Sequence, residues 1–363
     1  MSTVREKLAL PSQSKASLAD VAGRCGVSIS TVSRVVNGSA DVSPELLDKV
    51  QAAIAEIGYK PTRVRRVAEA GGMVGFLSDN SSHQMTADEF QHRFLIGAES
   101  ALNSRKQHLM FASCKDDIVL GKLPLMVEEN LVRGLVVKGG GLATGSLQWL
   151  LRLQKRVPLV TLMQHSPGRE FCSVMCDNEG GVHRALTYLR DLGHTRIGFF
   201  NIQDTRIPRS QHHHERMNAF IAHAPQLDVP LHPGSVQALY VDCGVEPMEV
   251  SVRRALKAWA DMGDTRPTAV ICATDIYGIT LISEAQKQGI RVPQDLGVIG
   301  FMNQVACERS MPPMTSLSLC GEEMGQAAIE LLGWRIANPA APVRHLVIAT
   351  KLVERLSCAA VTT

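Results

Sequence analysis

Residues 26–38, GVSISTVSRVVNG, set Ser28, Ser30, Thr31 and Ser33 among β-branched neighbours, with Arg34 as the only charged residue. Short hydroxyls donate and accept hydrogen bonds at close range, and an arginine forks onto paired acceptors. That combination suits a phosphate backbone or the edge of a base. These residue types are mediocre helix formers. Yet Val32, Val35 and Val36 recur at i, i+3 and i+4, the spacing of a helix with one buried stripe. The hydroxyls and Arg34 then occupy its other faces.

Charge points the same way. Residues 1–72 hold ten Lys/Arg against seven Asp/Glu, which accounts for the whole net charge of +3; the remaining chain is balanced. An excess confined to the first fifth is expected of a segment that meets a polyanion, and equally of a solvated basic end.

Other chemistry is poorly supported. Nine cysteines are scattered without any C-x-x-C spacing, which reads as free thiols in a reducing cytoplasm, with neither a disulfide frame nor a zinc site. Residues 212–215, HHHE, do not have the H-E-x-x-H spacing, so no metal is expected. The glycines of KGGGLATGS, 138–146, lack the Lys-Ser/Thr ending of a phosphate loop. His194 reads as structural. No Ser–His–Asp or paired-carboxylate set stands out, so neither an enzyme nor a cofactor is expected. No apolar run reaches the roughly 18 residues of a membrane span, and residues 1–17 lack the apolar core of a signal peptide.

The elements that must hold these residues are legible. SLADVAGRCG, 17–26, reads as a helix with Ser17 as N-cap and Gly26 as its stop. SPELLDKVQAAIAEIG, 43–58, reads as another, with Ser43 as N-cap, Pro44 at the first helical position and Gly58 past the end. With 26–38 between them, the first two helices form a helix-turn-helix whose second member is free to enter a groove. The basic stretch YKPTRVRRVAEAGG, 59–72, reads as a linker. From residue 73 onward, apolar strand-like runs alternate with helical stretches in two series. That pattern predicts an α/β core of two doubly wound parallel-sheet lobes behind an all-α headpiece. The expected organisation is a flexible arm 1–16, a headpiece 17–60, a hinge or linker 61–72, a core 73–356 and a tail 357–363. The first lobe takes 73–174 with 321–340, and the second 175–320 with 341–356. Ligands of such sheets sit beyond the carboxyl ends of the strands.

The chain resembles the lactose-repressor (LacI/GalR) family of bacterial transcription regulators. The resemblance is carried by residues 18–61, by VMCDNEGGVHRALTYLRDLGHTRIGFF (174–200), RMNAF (216–220), PTAVICATDIYGITLISEAQKQGIRVPQDLGVIGF (267–301) and PPMTSL (312–317), and so spans nearly the whole chain. It implies a periplasmic-binding-protein-like core and a homodimer that docks on a pseudo-palindromic DNA operator under control of a small-molecule effector, in the cytoplasm at the nucleoid, without a membrane. Ile29 and Ser30 match its main base-reading positions, with Arg34 one turn later; Thr31, Ser33 and Asn37 match phosphate contacts. Tyr59, Arg63, Arg65 and Arg66 add backbone or minor-groove contacts. Ala68 stands where typical members wedge a leucine into the minor groove, which leaves either an electrostatic grip by the arginines or an unstructured linker.

The resemblance also places an effector site at Asp79, Met163, Arg216, Tyr240, Thr274, Asp275, Met302 and Asn303. Met163 and Met302 stand where sugar-binding members usually have aspartates. Fewer acids around a retained Arg216 favour a sugar acid or other carboxylate over a neutral sugar. The alternatives are a regulator without an effector and a sugar-binding protein without a DNA role. A repressor is the expected direction of control.

Overall fold

The computed structural model describes residues 17–36, 43–58, 72–79, 89–139, 146–164, 170–204, 211–241 and 246–361. The chain divides into two compact units, Met1–Arg66 and Val67–Thr363.

In the first unit, helices α1 (Leu18–Cys25), α2 (Ile29–Val36) and α3 (Pro44–Ile57) are built from the stop and start residues seen in the sequence. Ser17 and Asp20 form a reciprocal capping box: the Asp20 N–H donates to Ser17 Oγ at 3.3 Å, and the Ser17 N–H donates to Asp20 Oδ2 at 2.7 Å. Gly26 and Gly58 end α1 and α3 at φ of 64° and 62°, left-handed conformations that glycine adopts without steric cost. Val21, Ala22 and Cys25 of α1, Val32 and Val35 of α2, and Val50 and Ala53 of α3 form one buried cluster. The stripe on α2 is therefore what fastens it to its neighbours.

The second unit contains two six-stranded sheets among the described residues. Strands β1 (Met73–Ser78), β2 (Leu109–Ser113), β3 (Val132–Lys138), β4 (Leu159–Leu162) and β5 (Cys172–Cys176) precede β6 (Ile197–Asp204), β7 (Val236–Val241), β8 (Ala269–Cys272), β9 (Gly297–Met302) and β10 (Thr315–Ser318); β11 (His345–Ile348) and β12 (Lys351–Val353) follow. The first sheet runs β11-β5-β4-β3-β1-β2 and the second β12-β10-β9-β8-β6-β7, with every pairing parallel except β10–β12. The layers on the sheets are α4 (Glu89–Asn103), α5 (Lys115–Leu120), α6 (Leu125–Glu128) and α7 (Ser146–Gln154) in the first lobe. The second lobe has α8 (Asn178–Asp191), α9 (Gln211–His223), α10 (Met248–Ala260), α11 (Asp275–Lys287) and α12 (Ala306–Arg309), while α13 (Gly321–Ala337) returns to the first. Helices α4 and α13 touch backbone to backbone: a Cβ on Gly97 would collide with the Glu322 carbonyl, and one on Gly325 with that of Phe94.

The chain passes between lobes three times, after β5, β10 and β11. This corrects the expected lobe boundaries. Strand β11 pairs with β5, so 345–348 lies in the first sheet, and the expectation of 341–356 in the second lobe does not hold for these residues. The apolar run of β11 is short, Leu346 to Ile348, with Val347 61% exposed, so pairing is what places it. The segment expected to be a tail also packs. Ser357 Oγ donates to the Val298 carbonyl at 2.5 Å, and the Val361 N–H donates to the Leu192 carbonyl at 2.9 Å.

Candidate functional site

Two surfaces carry the residues singled out from sequence. The first is the start of α2. Ser28 precedes the helix, and its Oγ accepts the Thr31 N–H at 3.1 Å, an N-cap. The same Oγ lies 2.7 Å from Ser30 Oγ and 2.8 Å from Thr31 Oγ1. A chain of hydroxyls thus crosses the first turn. Ile29 beside it is 54% exposed, a large aliphatic side chain left in water at the first helical position. Arg34 sits four residues after Ser30, on the same helical face. Ser33 and Arg34 belong to α2, but their side chains lie outside the described residues, as do Asn37, Tyr59, Arg63, Arg65, Arg66 and Ala68.

The second surface is the floor of the second lobe. Arg216 of α9 is 2% exposed. Its Nε donates to Asn178 Oδ1 at 2.8 Å and its Nη1 to the Ala273 carbonyl at 2.6 Å, while its guanidinium carbon lies 4.3 Å from the Phe301 ring centroid. Arginine only donates, so Asn178 must turn its oxygen to Arg216 and its NH2 outward. That NH2 donates to Glu215 Oε2 at 2.6 Å and lies 3.0 Å from His212 Nδ1. Burial pushes the Glu215 pKa up, but bonds from His212 and Asn178 outweigh it and hold the pKa at about 2. His212 Nε2 donates to the Met163 carbonyl at 2.9 Å and so bridges the two lobes. A second bridge runs from the Val305 N–H to the Glu89 carboxylate, 2.9 Å and 3.1 Å from its oxygens.

Asp275 opens α11 and is fully buried. Burial pushes its pKa up to about 6, although its carboxylate accepts Ser316 Oγ at 2.5 Å and the Gln304 N–H at 2.8 Å. Thr274 is 8% exposed, and its hydroxyl has no partner among the described residues. Burial and then Arg216 push the His213 pKa down to about 3, so this ring is neutral and packs edge-on to Tyr277 at 5.9 Å. Met163, Met302 and Asn303 have φ of 61°, 112° and 53°. Non-glycine residues held there store strain of roughly 1–3 kcal/mol each.

The eight residues expected in the cleft are thus only partly assembled. Arg216, Thr274, Asp275 and Met302 gather around the ends of β8 and β9. Met163 buries its side chain in the apolar core and offers His212 its carbonyl. Asn303 turns its Oδ1 to Arg355 at 2.8 Å. Asp79, half-buried after β1 in the other lobe, acts electrostatically on Cys114. Tyr240 lies on edge strand β7, with its side chain outside the described residues. Sequence reading missed Asn178, His212, Glu215 and Phe301. The "DN" of the quoted 174–200 segment was the available signal for Asn178; nothing in the spacing marked the others. A pocket of about 480 Å³ bounded partly by Cys176, Asn178, Glu215 and Val347 is lined by none of the eight expected residues. His194 is a structural pin: its Nδ1 lies 2.9 Å from Thr268 Oγ1 and its Nε2 3.1 Å from the Ala359 carbonyl. Among the described residues, no group of three or more His, Cys, Asp or Glu could hold a metal ion, and no helix is long and apolar enough to cross a membrane.

Residues 17–62 match the model of bacterial regulatory proteins of the lacI family, and residues 186–358 match that of a periplasmic binding protein-like domain. The chain is a LacI-family transcriptional regulator. The HTH-type transcriptional regulator CelR of Thermobifida fusca is 27% identical over 93% of this chain and 96% of its own length. The HTH-type transcriptional repressor PurR of Vibrio cholerae is 29% identical over 94% and 97%. Among solved structures, a CelR–cellobiose complex matches with a TM-score of 0.65 at 26% identity, covering 94% of this chain and all of that one. A lac repressor dimer bound to operator and an anti-inducer matches with a TM-score of 0.61 at 20% identity, covering 96% and 100%, and shares the fold. The regulator binds DNA through the matched headpiece and carries a periplasmic binding protein-like domain. Relatives of this kind are regulators, not enzymes. The headpiece match excludes a binding protein without a DNA role.

Proposed function

We propose that this regulator is a repressor that binds a pseudo-palindromic operator as a homodimer, in the cytoplasm, and that a small molecule between its lobes sets its DNA affinity. The observation that carries the DNA side is the start of α2, where an exposed Ile29 stands beside a hydroxyl chain on a helix fastened by Val32 and Val35. In a helix-turn-helix these N-terminal residues reach base edges. Ile29 reads a thymine methyl, Ser30 reads weakly, and Arg34 reads the O6 and N7 of a guanine. Thr31, Ser33, Asn37, Tyr59 and the linker arginines hold phosphates. The operator-bound lac repressor dimer supports the paired headpieces.

The effector is a sugar acid or other carboxylate. Arg216 supplies the positive charge, and Met163 and Met302 replace acceptors that a neutral sugar needs. Asp79, Tyr240, Thr274, Asp275 and Asn303 complete the candidate wall. The two bridges between lobes, His212 to Met163 and Val305 to Glu89, are the contacts an effector strengthens or breaks.

The test is DNA selection from a random pool, followed by gel shifts of the selected site across a salt series. A palindromic consensus and a steep loss of affinity with salt are expected. A shallow slope without sequence preference rejects the DNA reading. Thermal-shift screening in which only neutral sugars stabilise the protein rejects the carboxylate.

A further inference from the structure

Asn201 lies on β6, in the interior of the second sheet, and is completely buried. Among the described residues, neither its Oδ1 nor its Nδ2 has a hydrogen-bond partner. Buried amides are almost always paired, so an amide orphaned at both ends marks a missing partner. The sheet register locates the gap. Asn201 pairs with Ala238 on β7, and on its other side the Phe200 carbonyl accepts the Ala273 N–H at 2.8 Å, which sets Ala273 beside it. Two alanines thus flank Asn201 in the register. Phe199, two residues earlier and on the same face, packs in the apolar core with Ile271 and Ile299. On the β8 side the sheet ends at the level of this amide, because β8 stops at Cys272. Above that level are Arg216, bonded to the Ala273 carbonyl, and Thr274, whose buried hydroxyl is also unpartnered among the described residues.

We infer that Asn201 is a specificity-determining residue of the effector site and that, with Thr274, it reads a hydroxyl group carried next to the ligand's carboxylate. This rests on the carboxylate reading of Arg216 given above. The choice of group follows from the inventory of donors. A carboxylate only accepts, so it leaves the Asn201 oxygen unpaired; a hydroxyl both accepts from Nδ2 and donates to Oδ1. The ligand class is then a polyhydroxy carboxylate, and an acid with a plain alkyl chain is discriminated against because it leaves the amide orphaned. The floor is covered while the His212–Met163 bridge is closed, so the ligand reaches Asn201 when the lobes part.

The test uses the full-length protein with three probes, D-gluconate, hexanoate and D-glucose, read by calorimetry and thermal shift. Gluconate is expected to bind best. Asn201→Leu is expected to keep or raise the melting temperature without ligand, because it removes two unpaired polar atoms. It should weaken gluconate about tenfold or more, leaving hexanoate unchanged. Asn201→Asp, which keeps the shape but repels an anion, should lose gluconate as well; operator binding without probe confirms that each variant is folded. Unchanged gluconate affinity in both variants overturns the inference and leaves the carboxylate reading standing. If D-glucose binds the wild type best and loses affinity in Asn201→Leu, the carboxylate reading fails while Asn201 keeps its role. Absence of binding by all three probes overturns both.

Discussion

The first turn of α2 and the floor of the second lobe both set short polar side chains beside an arginine, hydroxyls on α2 and an amide, a hydroxyl and a carboxyl on the floor, in opposite settings. On α2 the groups come from seven consecutive residues, 28–34, and Ser28, Ile29 and Ser30 face water. On the floor they come from residues 201, 216, 274 and 275, on β6, α9 and the start of α11, and all are buried. The α2 surface is an appendage to a small core, whereas the floor is part of a large one. Binding and stability should therefore separate on α2 and be inseparable on the floor.

The largest effect expected from this contrast is at Phe301, which is fully buried under Arg216. Phe301→Ala should cost about 3–5 kcal/mol in urea unfolding of the core. A loss below 1 kcal/mol would mean that the floor is not core at all.

Next comes pH. Burial raises the Asp275 carboxyl from its ordinary 3.8 to about 6. The folded state then holds a proton that the unfolded chain releases, so stability is greatest below pH 4 as far as this group is concerned and falls as pH rises to 6. The gap corresponds to about 3 kcal/mol. Glu215, depressed to about 2, acts in the opposite sense and at lower pH, between about 2 and 4.5. The difference between wild type and Asp275→Asn across pH 4–6 isolates the first group, and the variant's profile should be flatter. Parallel profiles would show that Asp275 is ionised throughout.

On α2 the expected effect moves from folding to DNA. Arg34→Ala should cost about 1–3 kcal/mol at one operator position and leave the headpiece's melting temperature unchanged. An equal loss on every sequence at fixed salt would make Arg34 a phosphate contact. The smallest effect sharpens the contrast from the other side. Ser17→Ala removes the capping box of α1 and should lower headpiece stability by about 1 kcal/mol, with base preference retained.

How much was legible follows the same division. The headpiece could be read directly because its caps, stops and apolar stripe are local: Ser17, Gly26, Pro44 and Gly58 each act within a few residues of themselves. The strands β1–β9 were visible as apolar runs. Strands β11 and β12 were not, because four and three partly exposed residues carry no periodicity, and only pairing with β5 and β10 defines them. The floor was half legible. Arg216 and Asp275 came from motif resemblance, whereas Asn201 sits in a run, RIGFFN, that reads as plain strand. Its meaning depends on Ala238 and Ala273, which only the fold sets beside it. The sequence likewise showed hydroxyls on α2 but not that Ser28 ties Ser30 and Thr31 together.

The late return of β11 and β12 bears on how the chain is made. A strand at residues 345–348 closes the edge of β5, completed some 170 residues earlier, and β12 closes that of β10. During synthesis the headpiece, whose contacts are local, can fold as soon as it leaves the ribosome. Both sheets meanwhile wait with an open edge until residues 345–353 have emerged. The lobes of this regulator therefore mature together, once both late strands have been made, and the half-made core is the form in which it is most exposed to aggregation.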